Sequence, residues 1–283
     1  MTTEPTPSAL ISASELQKII NLPTTKIIDA SYGLPALPVR IGAAVDFDID
    51  DIADPAAPLA HTIPSAALFA QKVSALGISN GDTVIVYDRG GMHMAAARAW
   101  WMFRLFGHDN VHVLNGGLPA WVEAELPVTP KPDEPESIAA GNFTAVLRPA
   151  LLKRQDDISA NIAAKQFTLL DARDARRYSG DMGDPRAGMG SGHVPGSHSM
   201  PFFELIDNET GQMRNREEIA QVFAEKNIDL SRPIACTCGS GVTACVVALA
   251  LHDIGHTDAA VYDGSWSEWG ANADLPKKQG YTP

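Results

Sequence analysis

One order of residues occurs twice in this chain, and it limits the fold more than any other feature. In the first half, Thr83 to Tyr87 reads as a strand and Gly90-Gly91 as a turn; a helix from about Ala95 to Phe106 then ends at Gly107-His108. A strand at Val111 to Leu114, a turn at Asn115-Gly116-Gly117 and a helix that Trp121 begins or packs follow. In the second half, Pro233 to Thr237 reads as a strand, a glycine turn follows, and an apolar helix from Ala244 to Ile254 stops at Gly255-His256. A strand at Ala259 to Tyr262, a turn at Asp263-Gly264 and Trp269 complete the echo, with the same Gly-His to Trp spacing. Further upstream, Ile27-Ile28-Asp29-Ala30 is matched by Leu169-Leu170-Asp171-Ala172. Matching order and spacing across several elements is an internal duplication, so 283 residues that length alone would allow as one domain are expected as two. Short buried strands alternating with helices predict an α/β fold, each half a mostly parallel sheet with helices on both faces. Pro127, Pro130, Pro132, Pro135 and Pro149 punctuate a polar stretch where neither helix nor central strand persists. The expected division is residues 1–125, a linker over 126–155, and 156–283.

The halves differ where chemistry is concerned. In the second, Cys238-Gly239-Ser240-Gly241-Val242-Thr243 joins the strand to the helix, which places a thiol at a strand-to-helix turn. Glycines there let the backbone curl so that successive N–H groups face inward, and the helix N-terminus adds its positive dipole end. Such a cradle favours a thiolate, the nucleophilic form. A buried packing thiol is the ordinary role of a free cysteine, but Gly-Ser-Gly gives a core strand nothing to pack. Cys236 and Cys245 read as packing residues. Zinc fits poorly: Cys-x-Cys with a third cysteine in the next helix matches no closed tetrahedral pattern. The first-half loop, Asp88-Arg89-Gly90-Gly91-Met92-His93, has no cysteine, and the placing of one gap decides whether Asp88 or Gly90 stands opposite Cys238.

A net charge of −12 and a pI near 5.0 argue against nucleic acid or an anionic membrane as partner. No apolar run approaches the roughly 20 residues that span a bilayer. Met1 to Ser8 lacks the basic and apolar regions of a secretory signal, so the expected compartment is the cytoplasm.

The Cys238 loop resembles the active-site loop of the rhodanese-type sulfurtransferases, and Gly-Ser-Gly-Val-Thr-Ala after the cysteine is similar to that of the 3-mercaptopyruvate sulfurtransferases. The resemblance covers about Ile27 to Leu275 and implies tandem rhodanese domains with an inactive first domain. It implies that the Cys238 thiolate takes sulfur from 3-mercaptopyruvate as a persulfide and passes it to a thiol, for which thioredoxin is the expected partner, or to cyanide. Neither cofactor nor metal is implied. Arg177 and Arg186 flank a Gly- and Asp-rich stretch read as a loop after the strand ending at Asp171, on the sheet edge that carries Cys238. By resemblance they hold the substrate carboxylate, while Arg173 and Arg176 read as surface residues. Backbone N–H groups of Gly239, Gly241, Val242 and Thr243 would bind substrate. Asp50, in Phe47-Asp48-Ile49-Asp50 at the end of a strand-like segment, and His61, in a proline-rich loop, fall on positions that the family assigns to a proton relay with Ser240, with Asp48 the alternative acid. Arg40-Ile41-Gly42-Ala43 departs from the family's His-x-Pro-Gly-Ala. The rival readings are a thiosulfate sulfurtransferase, a cysteine phosphatase and a non-catalytic binding module. A phosphatase loop is longer and ends in an arginine, where Thr243 and Ala244 stand here.

Overall fold

The computed structural model describes residues 8–34, 37–132 and 137–283; residues 1–7 and Pro135 of the expected linker lie outside them. In chain order the strands are β1 (Leu10–Ile11), β2 (Thr25–Asp29), β3 (Val39–Ile41), β4 (Val45–Asp46), β5 (Thr83–Tyr87), β6 (Val111–Leu114), β7 (Val128–Pro130), β8 (Leu152–Lys153), β9 (Thr168–Asp171), β10 (Ser197–Ser199), β11 (Ile234–Thr237) and β12 (Ala260–Tyr262). They form two five-stranded parallel sheets, ordered β4-β2-β5-β6-β1 and β10-β9-β11-β12-β8, and one antiparallel pair, β3-β7. Read position by position, the two sheets have the same topology, which is the duplication in three dimensions.

Strand residues alternate between faces, and both faces are covered. Val84 and Val86 enter one apolar cluster while Ile85 and Tyr87 enter another on the opposite side. That is why these strands read as continuous apolar runs rather than alternating ones. The helices Met94–Leu105 and Ala244–Asp253 each follow a central strand and pack against one another across the seam between the halves. Each is apolar nearly all round because one side meets its own sheet and the other its partner. One cluster, from Val84 and Trp101 to Cys236 and Leu249, therefore runs through both halves.

The repeated Gly-His pairs end these helices alike. Gly107 has φ +94° and Gly255 φ +102°, and the N–H of the following histidine returns to the carbonyl of Phe103 or Leu251. Trp121 and Trp269 each donate their indole N–H to a proline carbonyl, Pro127 and Pro276.

Residues 126–155 themselves carry two short edge strands: β7 pairs with β3, at an edge where proline is tolerated, and β8 forms one edge of the second sheet. Two local expectations are corrected. Phe47 to Asp50 does not end a strand: β4 stops at Asp46, and the Asp48 side chain accepts the Asp50 N–H to cap a helical turn, Ile49–Ile52. Arg177 lies in a short helix, Ala175–Ser179, capped by Asp174; only the residues after Gly180 form the expected loop. Among the described residues no helix is long and apolar enough to cross a membrane.

Candidate active site

Sheet register settles which residues correspond. Asp29 pairs with Tyr87 and Asp171 with Thr237, so the next residues, Asp88 and Cys238, occupy the same place. Their carbonyls also match, accepting the N–H of Leu118 and of Trp266, each at 3.0 Å. Asp88 rather than Gly90 therefore stands opposite the cysteine. In the first half the buried Asp88 carboxylate accepts N–H groups from Gly90 at 3.2 Å and Gly91 at 2.9 Å. Burial pushes its pKa up to about 6 against the opposing pull of those N–H groups. The first loop thus places a carboxyl group where the second has the thiol, and two backbone N–H groups meet it there.

Cys238 is 2% exposed. Its N–H donates to Ser265 Oγ at 3.1 Å, and that hydroxyl donates to the Tyr262 carbonyl at 2.7 Å. The Gly239 carbonyl accepts from Ser267 N–H and Oγ–H, both at 2.8 Å. Gly241 sits at φ +77°, and a Cβ there would lie 2.6 Å from the Asp263 carbonyl oxygen; this is why the position is glycine. Its carbonyl accepts from Cys245 Sγ at 3.2 Å, so Cys245, buried as expected, also braces the loop. Val242 is buried, and Thr243 leads into the helix without a side-chain cap.

Arg186 reaches this loop. Its Nη1 lies 3.4 Å from the Gly239 carbonyl and donates to Ser267 Oγ, while Nε and Nη2 donate to the two oxygens of Asp184, each at 2.8 Å. The Asp184 hydrogen bonds raise the Arg186 pKa, with a further contribution from Cys238. Burial alone would raise the Asp184 carboxyl; the Arg186 hydrogen bonds override it and hold it below the ordinary range. Arg177 is half-buried, makes no side-chain hydrogen bond among the described residues, and acts on Asp184 only through its charge.

Asp50 Oδ1 approaches His61 Nδ1 to 2.6 Å, off the line of a hydrogen bond. His61 has φ +62°, and the Tyr32 ring meets it edge to face at 5.0 Å. The structure brings His61 and Asp50 of the expected relay into contact, and the Ser240 hydroxyl makes no hydrogen bond among the described residues. Arg173 is not a surface residue. It pairs with Asp171, donates to the Gly192 carbonyl at 2.8 Å and lies over Trp266 at 4.2 Å. Arg176 is exposed. No group of three His, Cys, Asp or Glu side chains among the described residues could hold a metal.

The family of rhodanese-like domains matches twice, over residues 12–124 and 154–272. The chain belongs to the rhodanese family. Rhodanese relatives resemble it over nearly their whole length. A 3-mercaptopyruvate sulfurtransferase of Mus musculus is 40% identical over 275 residues, covering 92% of this chain and 91% of that one. A thiosulfate sulfurtransferase of Gallus gallus is 41% identical over 274 residues, covering 92% and 93%. Among solved structures, a 3-mercaptopyruvate sulfotransferase of the rhodanese fold, SseA from Escherichia coli, aligns with a TM-score of 0.81 at 32% identity, covering 93% of this chain and all of that one.

Asp184, Ser265 and Ser267, which brace the rhodanese loop here, escaped the reading of the sequence. Two signals were present. Asp184 stands two residues before Arg186, and Ser265 stands, counted from the Gly-His pair, where the first half has Gly117.

Proposed function

We propose that this protein is a sulfurtransferase that moves sulfur from 3-mercaptopyruvate through Cys238 to a thiol acceptor. The observation that carries the reading is the cysteine at the head of a glycine cradle with an arginine, Arg186, hydrogen-bonded to its rim. The Cys238 thiolate attacks the sulfur of mercaptopyruvate and forms an S–S bond. The C–S bond breaks, its electron pair leaves on carbon as the pyruvate enolate, and a proton delivered to that carbon gives pyruvate. An acceptor thiolate then attacks the outer sulfur, and Cys238 leaves as thiolate. Backbone N–H groups of residues 239–243 stabilise the sulfur anions, as those of the first loop hold Asp88. Arg177 and Arg186 hold the carboxylate and keto oxygen. His61, oriented by Asp50, supplies protons by way of Ser240.

Thiosulfate is the second reading, because relatives of equal identity bear that name. It is a dianion that asks for cations beside the sulfur, and here the adjacent Gly239 and Ser240 are neutral. Mass spectrometry after mercaptopyruvate treatment should find one added sulfur on Cys238, and steady-state rates should be higher with mercaptopyruvate than with thiosulfate. Sulfur on Cys236, or on no cysteine, sinks the mechanism; faster turnover of thiosulfate reverses the donor assignment.

A further inference from the structure

Arg98 sits in the middle of the buried helix of the domain that carries no cysteine, with its side chain 1% exposed. Counted back from the Gly-His pair, the same place in the second helix is Val246. An apolar residue therefore satisfies the packing of this position, and a buried ion pair is seldom more stable than its apolar replacement. The guanidinium is nonetheless fully engaged, and its partners lie on three separate segments. Nη2 donates to Asp263 Oδ1 at 2.6 Å and to the His61 carbonyl at 2.5 Å, while Nη1 lies 3.3 Å from the Gly241 carbonyl. The other oxygen of Asp263 accepts the Ile63 N–H at 3.0 Å. Asp263 also heads the turn whose Ser265 receives the Cys238 N–H.

We propose that Arg98, working with Asp263, is a positioning residue for sulfur transfer: from the non-catalytic domain it locks the Cys238 loop, the Asp263–Ser265 turn and the His61 loop into one geometry. The inference rests on Cys238 as the sulfur-carrying residue. Arg98 touches no reacting atom in this scheme. It acts by holding the Gly241 carbonyl toward the seam, which turns the N–H of the same planar peptide unit, that of Val242, the opposite way. It also holds the backbone on which His61 stands. The three acceptors are met from two nitrogens of one planar fork, a spacing that the single nitrogen of a lysine does not reproduce.

The test uses Asp263→Asn and Arg98→Lys in the full chain, rapidly mixed with mercaptopyruvate and quenched for mass spectrometry. The amplitude of persulfide counts folded sites, and the rate reports their geometry. Asn is isosteric with Asp, but its single oxygen cannot serve both Arg98 and Ile63, so one tie is lost with little else changed. Both variants are expected to reach the native amplitude at a rate lower by about tenfold or more, with the KM for mercaptopyruvate within about twofold of native, since the substrate-holding arginines are untouched. If Arg98→Lys fails to fold, Asp263→Asn alone decides. Native rate and amplitude would overturn the inference, as would lost amplitude with a native rate in the surviving fraction, which is the mark of a purely structural role. A native protein that forms no persulfide at all would overturn the sulfurtransferase reading and this inference with it.

Discussion

Arg186 and Arg177 illustrate how two residues of one type, assigned one task, differ in their surroundings. Arg186 is tied to Asp184, whose side chain is only 3% exposed, and to the loop; Arg177 carries no such ties. Truncating Arg177 should then cost only substrate contacts. Removing a charge-assisted hydrogen bond costs about 1.5–3 kcal/mol, so Arg177→Ala should raise KM for mercaptopyruvate by roughly 10- to 150-fold with no change in melting temperature. Arg186→Ala should raise KM as well and also lower the melting temperature, because it strands a buried carboxylate. Steady-state kinetics beside thermal melts of both variants check this; equal melting temperatures would show that Asp184 does not depend on Arg186.

At the scale of elements, the strand-to-helix turn is the unit that function depends on, and its two glycines are not equivalent. A Cβ on Gly239 would meet nothing nearer than Arg186 Nη2 at 3.8 Å, whereas one on Gly241 would strike the Asp263 carbonyl at a positive φ. Gly239→Ala should therefore keep both stability and persulfide formation near native. Gly241→Ala should lose the left-handed turn, at a cost of about 1–2 kcal/mol for the backbone alone, together with most activity. Comparing persulfide yield and denaturation midpoints of the two variants tests the distinction, and a tolerant Gly241 would mean the turn relaxes. The first-half turn shows the same construction with different contents. There Gly91 has φ +71°, and a Cβ would lie 3.2 Å from the Gly116 carbonyl oxygen.

For the whole molecule, the shared core decides how the chain unfolds. Because one apolar cluster runs through both halves, calorimetry should show a single cooperative transition; two resolved transitions would mean the halves are independent. Acid sensitivity follows from two buried groups, His93 and Asp88, and the half-buried His252. Burial lowers His93 and His252 to about 4, from an ordinary 6.5, so each contributes stability that is present above the unfolded value and is lost as pH falls through that window. Asp88 has the opposite sign. Its folded pKa of about 6 exceeds the ordinary 3.8, so its ionisation costs stability as pH rises through about 4 to 6, and protonation returns that stability on acidification. Asp88→Asn, which never ionises, should therefore lose stability more steeply than the native protein between pH 6.5 and 4. Denaturant midpoints across that range measure it, and parallel curves would show that Asp88 does not titrate there.

The duplication, the parallel α/β architecture and the place of Cys238 at a strand-to-helix turn were determined by the sequence alone, because each rests on short-range pattern. Apolar runs, helix-ending glycines at Gly107 and Gly255, and a loop of small residues after a thiol are local signals with local causes. Tertiary structure alone decided what depends on sheet register and on contacts between distant segments. Register made Asp88 the counterpart of Cys238 where a gap could be placed either way. Folding placed Trp266 over the Arg173 guanidinium and so buried a residue that itself read as surface. The tie from Arg98 to Asp263 crosses 165 positions of chain and the seam between two domains. No spacing encodes such a contact, because it exists only after two independently patterned sheets have packed their central helices together.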